Sequence, residues 1–503
     1  MKLSLLYTAK TAYRFLSSKA TWGCQVSAKS KVKSCRSELI STKKPKVKLT
    51  EQQNQILEAI SNGNSVFITG SAGTGKTYLL QHIITKLRKI HGKSRVFVTA
   101  STGVAACSLN GQTLNSFAGI GLGDASSVDL LSRVSLDKRA YRRWNKVRAL
   151  VIDEISMVSG EVLDNLEFIA RSIRSEELGC EEKIWGGIQL VVSGDFFQLP
   201  PVINKKGQQK EFAFEADCWN ASFDEQIELK TIFRQSDAQL IKLLQGIRKG
   251  KYDSEDLKLL DQCCSKVEPD SSAVQLYPRI EDVSRVNAER LDCLDEVLFH
   301  YQALDSGKDP WKKQLKNGIA PELLKLCVGS RVLLTKNIDV VSGLVNGATG
   351  TILDFAVVQD THKLYDREIS DICGNGNLLP VVRFDSGQEL MIGVERWYVM
   401  EGDEAVAMRK QIPLILAWAL SIHKCQGMTL NNLHTDLYRV FGFGMVYVAL
   451  SRVKSLDGLN LVNFNPSKIK ANPKVLQFYE RLSAEKDEQK GDSVTDDIKF
   501  GSL

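Results

Sequence analysis

Gly70-Ser71-Ala72-Gly73-Thr74-Gly75-Lys76-Thr77 restricts this chain to a small set of folds. The run fits G-x-x-x-x-G-K-[ST], a loop that cradles phosphate in backbone amides and sits between a strand and a helix. Both neighbours have the required pattern. Ser65–Thr69 is short, apolar and β-branched, the composition of a buried parallel strand. After the loop, Leu79, Leu80, Ile83, Ile84 and Leu87 recur at helical spacing. Gly70, Gly73 and Gly75 let amides face a phosphate, and the helix N-terminus adds positive potential. Ser71, Ala72 and Thr74 complete the cradle. Lys76 is then placed to reach the β- and γ-phosphates of a nucleoside triphosphate, and Thr77 to ligate Mg²⁺. An ordinary glycine-rich turn is the alternative, and the strand–helix context argues against it.

A second apolar strand, Leu150-Val151-Ile152, ends in Asp153-Glu154. Such a strand brings Asp153 to the metal and lets Glu154 polarise an attacking water, because phosphoryl transfer is mostly positioning and charge stabilisation. A third strand, Val191-Val192-Ser193, leads into Gly194-Asp195-Phe196-Phe197-Gln198-Leu199-Pro200-Pro201. Gln198 is a candidate sensor of the γ-phosphate. Core packing is the competing reading for Phe196 and Phe197. Arg234 and Arg452 each offer a guanidinium of the kind that transition-state charge requires, although an isolated Arg is more often a surface ion pair. Ser421-Ile422-His423-Lys424-Cys425-Gln426-Gly427 follows a run that reads as an apolar helix, Leu416–Leu420, and its hydroxyl, imidazole and ammonium groups suit a nucleic-acid phosphate track.

The net charge of +7 does not by itself indicate nucleic acid. Residues 1–48 carry +11 and the remainder −4, so any nucleic-acid groove in the body is a local patch. Met1–Ser37 has eight basic residues, no acid and many Ser, Thr and Ala, the composition of a mitochondrial presequence; a secretory signal fits less well. Lys43-Lys44-Pro45-Lys46-Val47-Lys48 is either a nuclear import patch or a solvated linker. Mitochondrion and nucleus are therefore the expected locations. The eleven Cys include no C-x-x-C pair, which disfavours a zinc or iron–sulfur site and a disulfide framework. No apolar run approaches the ~20 residues of a membrane span.

Alternating strand-like and helical runs predict an α/β chain with parallel sheets. The expected layout is a basic segment at 1–48, a first ATPase domain at 49–225, a second α/β domain at 226–330 and 401–475, an all-β insertion at 331–400, and a polar tail at 476–503 that is disordered after about Ser483.

Taken together, the motifs resemble the Pif-one (petite integration frequency) family of DNA helicases in superfamily one, from about Leu49 to Phe464. Leu49-Thr50-Glu51-Gln52-Gln53 is similar to the family's adenine-reading segment, with Gln53 in the reading position. Val98–Ala106 and Ser116–Gly121 resemble a segment that holds single-stranded DNA. Leu163-Asp164 with Ile169–Arg174 resembles the family signature, and Tyr447-Val448-Ala449-Leu450-Ser451-Arg452 matches a further motif. Cys425 and Met445 depart from the usual pattern, where a small hydroxyl residue and a Gln are common.

The resemblance implies a P-loop NTPase with two RecA-like parallel-sheet domains and a small β-barrel in the second. ATP and Mg²⁺ would lie between the domains, with Gln426 and Gly427 added to the nucleotide site. DNA contacts would come from Thr102, Ser116, Phe117, Ser421, His423, Lys424, Tyr447 and Ser451. For Phe117, base stacking and buried packing stand as equal alternatives. The implied activity is ATP-driven 5′-to-3′ movement on single-stranded DNA and unwinding of duplex, forked or G-quadruplex DNA in genome maintenance, including replication, recombination, repair and telomeres. The implied state is a monomer with replication or telomere proteins as partners. Rival readings are a RecD-like or transposon-type helicase, a nucleotide-gated DNA-binding switch and a small-molecule kinase.

Overall fold

The computed structural model describes residues 49–496, apart from 122, 179–182, 202–208, 265–273, 310, 316–319, 340–343, 345, 358–371, 373–376 and 402–403. The basic segment expected at 1–48 lies outside the described residues. No helix among those described is long and apolar enough to cross a membrane.

Thr50 opens helix α1 (Glu51–Ser61) with a reciprocal capping box, its hydroxyl accepting from the Gln53 amide while Gln53 reaches back to the Thr50 amide. The first sheet is formed by β1 (Val66–Gly70), β2 (Val96–Ala100), β3 (Gln112–Thr113), β4 (Ala149–Asp153), β5 (Gln189–Ser193) and β6 (Glu225–Leu229), in the order β3-β2-β4-β5-β1-β6. Every pairing is parallel. All residues of β1, β2, β4 and β5 are buried, which explains their unbroken apolar runs. Helix α2 (Lys76–His91) covers the sheet with Leu79, Leu80, Ile83, Ile84 and Leu87. Its N-cap is Gly75 at φ 80° with no side-chain cap, so the first amides of the helix remain available to a ligand.

A second parallel sheet has the order Ala419–Ser421, Val274–Tyr277, Leu433–Asp436, Leu459–Asn463. The helices Ala238–Arg248 and Met445–Leu450 pack on it through Leu240, Leu244, Val448 and Leu450. The segment read as an apolar helix at 416–420 is instead two short strands, Leu414–Leu416 and Ala419–Ser421. Apolar runs this short cannot be assigned by periodicity alone.

Between the two sheet strands Val274–Tyr277 and Ala419–Ser421 lies β-rich, antiparallel structure that begins at Phe299 and ends at Leu416, wider on both sides than 331–400. A five-stranded sheet runs in the order Glu389–Met391, Leu378–Phe384, Thr349–Val357, Arg331–Leu334, Leu414–Leu416. Its core is Val332, Leu334, Ile352, Val382 and Leu414. Strand Glu404–Gln411 escapes a hydropathy reading because Arg409, 2% exposed, is paired bidentately with Asp305 at 2.7 Å.

The disorder expected after Ser483 is corrected as far as Asp496 by a helix, Pro473–Asp496; residues 497–503 lie outside the described residues. Val475, Phe478, Tyr479 and Leu482 are spaced to make one helical stripe and are buried in the core of the first α/β region. Phe478 packs against Phe196, Phe214 and Trp219.

Candidate nucleotide site and nucleic-acid residues

A cavity of about 530 Å³ opens where the two α/β regions meet. Ala72–Tyr78, Glu154 and Gln198 line it from the first region; Gly427, Thr429, Asn431, Arg452 and Lys454 line it from the second. Phe233 and Arg234, on the segment after β6, complete the wall. Lys76, Thr77, Glu154, Gln198, Arg234, Gly427 and Arg452 are thereby gathered around one space although they span most of the chain.

Backbone conformation holds the loop open. Gly70, Gly73 and Gly75 all have positive φ. A Cβ at Gly73 would lie 2.7 Å from Arg234 Cβ, so only glycine admits the neighbouring segment. The Phe233 amide donates to Gly73 O at 2.8 Å. Gln53 lies beside Gly75, its Nε2 3.6 Å from the position of a Cβ there. Lys76 Nζ donates to Gly70 O at 2.6 Å and Ser71 O at 3.1 Å, which folds the ammonium over the cradle. Burial lowers its pKa, while Asp195 and Glu154 oppose that shift.

Glu154 stands at φ 55°, a left-handed conformation costly for a non-glycine residue and typical of functional turns. Burial and then the adjacent Asp153 carboxyl raise its pKa to about 7. Gln426 Nε2 donates to Glu154 Oε2 at 2.9 Å from the second region. Asp153 ends β4, is 4% exposed, and accepts the Glu154 amide at 2.9 Å. Burial raises its pKa as well.

Among the described residues no group of three or more His, Cys, Asp or Glu forms a metal cage. A hard divalent cation here would need oxygen ligands from a bound phosphate in addition to protein. Thr77, an exposed hydroxyl at the start of α2, and Asp153, a carboxylate raised in pKa by burial, are the donors that fit such an ion.

Arg234 donates to Thr429 Oγ1 at 3.0 Å and Ser451 O at 3.0 Å. Arg452, 1% exposed, donates to Val448 O at 2.8 Å and Ser451 Oγ at 2.7 Å. Burial and the Arg452 charge lower the Arg234 pKa to about 9. A bound polyphosphate would relieve this effect of one guanidinium charge on the other.

Several residues expected to touch DNA are placed elsewhere. Phe117 is 0% exposed and packs against Phe97 and Trp144, with ring centroids 5.1 and 4.9 Å away, so it is a core residue. Tyr447 is 3% exposed, and its hydroxyl accepts the Ala72 amide of the phosphate loop at 2.7 Å. Ser421 and Ser451 are 2% and 1% exposed, engaged in turns of the second region. His423 and Lys424 are exposed. Thr102 and Ser116 are half-buried; Thr102 Oγ1 caps the helix Gly103–Ser108 by accepting from Ala105, and the Ser116 hydroxyl bonds Gln314 of the β-rich region.

Sequence reasoning overlooked Asn431, Lys454 and the β-rich turns Gly347–Thr349 and Phe384–Ser386, all of which line the cavity. Their single polar residues in turns carry no spacing signal. It also overlooked Asp195, Arg248 and Tyr479, which lie behind Gln198.

Residues 48–258 match the family described as PIF1-like helicase, and residues 313–355 match the DNA helicase Pif1 2B domain. The chain is 41% identical over 462 residues to the ATP-dependent DNA helicase PIF1 of Xenopus laevis, covering 89% of this chain and 68% of that protein. It spans 65% of the corresponding Danio rerio and Homo sapiens proteins. The crystal structure of Pif1 helicase from Candida albicans superposes with a TM-score of 0.68 at 39% identity, covering 87% of this chain and 100% of that one. Bacteroides Pif1 in complex with ADP-AlF3 and ssDNA gives a TM-score of 0.58 at 29% identity, covering 87% and 98%. The fold is thus a P-loop architecture with two RecA-like parallel-sheet domains, and the chain belongs to the PIF1-like helicase family, a family of ATP-dependent DNA helicases.

Proposed function

We propose that this protein hydrolyses ATP to move 5′ to 3′ along single-stranded DNA and to unwind duplex, forked or G-quadruplex DNA. The observation that carries the reading is the single cavity between the two RecA-like domains, with Lys76, Glu154 and Gln198 on one wall and Arg452 on the other. A site divided in this way is completed by closure and dismantled by opening, which is what a stepping motor requires.

In this reading ATP lies along the loop, its nucleoside toward Gln53 and Phe233. Lys76 exchanges the Gly70 and Ser71 carbonyls for β- and γ-phosphate oxygens. Glu154, with a pKa near 7, accepts a proton from the attacking water. Arg234 and Arg452 stabilise charge on the γ-phosphoryl, and Gln198 senses it. Thr77 and Asp153 would hold Mg²⁺, which when bound neutralises phosphate charge and polarises the γ-phosphoryl group. Domain opening after hydrolysis alternates the grip on DNA. His423 and Lys424, with Thr102 and Ser116 on the first domain, supply backbone contacts, so binding weakens with salt.

We place this activity in genome maintenance in the mitochondrion and nucleus, on the strength of the basic N-terminal composition, and treat a monomer as the working unit. Forked duplexes carrying only a 5′ or only a 3′ tail, with ATP hydrolysis followed in parallel, test the reading. Unwinding of the 5′-tailed fork with DNA-stimulated hydrolysis is expected. Unwinding of the 3′-tailed fork alone would reverse the polarity, and hydrolysis indifferent to DNA would remove the motor.

A further inference from the structure

Arg248 is the last residue of the helix Ala238–Arg248, which packs in the core of the second RecA-like domain, yet its side chain is buried against the first. It is 3% exposed, and its partner Asp195 is 0% exposed. Arg248 Nη2 lies 2.9 Å from Asp195 Oδ1, and Nε is 3.3 Å from both carboxylate oxygens. Nη1 bonds Glu228 at 3.1 Å, at the end of β6. The guanidinium also lies over the rings of Phe197 and Tyr479, 4.7 and 5.1 Å from their centroids.

Asp195 in turn controls the segment that enters the cavity. Its backbone oxygen accepts the Gln198 amide at 2.9 Å, Oδ1 accepts the Phe197 amide at 3.3 Å, and Oδ2 accepts Gln198 Nε2 at 3.4 Å. The Tyr479 hydroxyl closes the other side, 3.4 Å from Asp195 Oδ1 and 2.5 Å from Thr69 Oγ1. A continuous polar chain therefore runs from a guanidinium of one domain, through a buried carboxylate of the other, to an amide that lines the cavity. Gly444 of the second domain presses on the same segment: a Cβ there would sit 2.3 Å from Gln198 O.

We propose that Arg248 is a positioning residue for nucleotide turnover. By holding Asp195 from the second domain it sets the Gln198 side chain, so that approach of the domains and readiness of Gln198 are one event. This inference rests on the cavity being an ATP site. A buried pair that merely holds the fold is the competing account, and removing one partner alone would leave an uncompensated charge and cost stability in either case. The discriminating variant therefore replaces both members by amides of similar shape, Asp195→Asn with Arg248→Gln.

The measurements are the melting temperature, kcat and KM for ATP with single-stranded DNA, and the affinities of ADP and ADP–aluminium fluoride for the full chain. In the double variant the melting temperature should stay near the parent value and ADP affinity within about threefold, while kcat and the preference for ADP–aluminium fluoride over ADP fall together by at least about tenfold. Arg248→Lys, which keeps the charge but not the planar fork, should recover part of the kcat that Arg248→Gln loses. A double variant with unchanged kcat and unchanged preference would overturn the proposal. A parent protein without DNA-stimulated hydrolysis would instead defeat the ATP-motor reading itself, and is seen before any variant is made.

Discussion

Gln426 and Glu154 meet across the domain boundary, with Gln426 Nε2 donating to Glu154 Oε2 at 2.9 Å. The residue best suited to act as a base is therefore held by the opposite domain. A donor to a carboxylate favours its charged form, which opposes the upward push of burial. Gln426→Ala should move the acidic limb of the kcat/KM profile for ATP to higher pH, a shift read directly from that profile.

Glu154 itself sets the pH dependence. It is a base only when ionised, and its pKa is raised to about 7, so kcat/KM should fall as pH drops from about 8 to about 6. The stability effect has the opposite sense. An acid whose folded pKa exceeds its ordinary 4.5 makes the fold less stable as pH rises from that value to about 7. Glu154→Gln should thus abolish turnover yet raise the melting temperature above neutral pH. A variant that loses both would contradict the assignment.

Lys76→Ala removes the one ammonium within the cradle. Steady-state hydrolysis should fall by at least about 100-fold, the scale of a lost transition-state donor. Binding of labelled single-stranded DNA should survive, because Lys76 bonds the loop carbonyls of Gly70 and Ser71, inside the nucleotide cavity.

Gly444 and Gly427 have similar positive φ, 73° and 79°, but different surroundings. A Cβ at Gly444 meets Gln198 O at 2.3 Å, whereas one at Gly427 meets nothing within 4 Å. Gly444→Ala should impair domain closure and lower kcat sharply. Gly427→Ala meets no protein atom, so its folding cost should be the backbone term alone, about 1–2 kcal/mol by chemical denaturation, with any loss of kcat/KM arising from the Cβ facing the nucleotide cavity.

Phe117→Ala should cost about 3–5 kcal/mol of folding stability, the price of emptying a core site. Its effect on DNA affinity should vanish once the folded fraction is accounted for by denaturant titration. A large affinity loss in fully folded protein would return Phe117 to the DNA track.

The residues of the first domain that line the cavity are legible because their signals are local. The phosphate loop, Asp153-Glu154 and Gln198 each follow a buried strand, and a strand end followed by a polar residue is visible in one dimension. The long-range partners are not. The family resemblance assigns Tyr447 to DNA, yet its hydroxyl accepts from Ala72, 375 residues away in sequence. Arg248 ends an unremarkable amphipathic helix, and only the packing of two domains shows that its charge is buried. Strand Glu404–Gln411 was hidden by Arg409, since a buried ion pair looks like surface in a hydropathy pattern. Continuation of the helix beyond Ser483 is hidden because the residues there are polar and charged, while the buried stripe at Val475, Phe478, Tyr479 and Leu482 ends before them.

That stripe has a consequence for synthesis. Tyr479 joins Thr69 beside the phosphate loop across 410 residues of chain. The ribosome completes the first sheet at Leu229, but the cover for Phe196 and Trp219 emerges only with Phe478. Until then an apolar face of the nascent ATPase domain stays open to water, and any product cut short before this helix leaves it so. The helix Pro473–Asp496 therefore acts as a checkpoint of synthesis: the first domain has this backing only on chains that have been read through Phe478 and Tyr479.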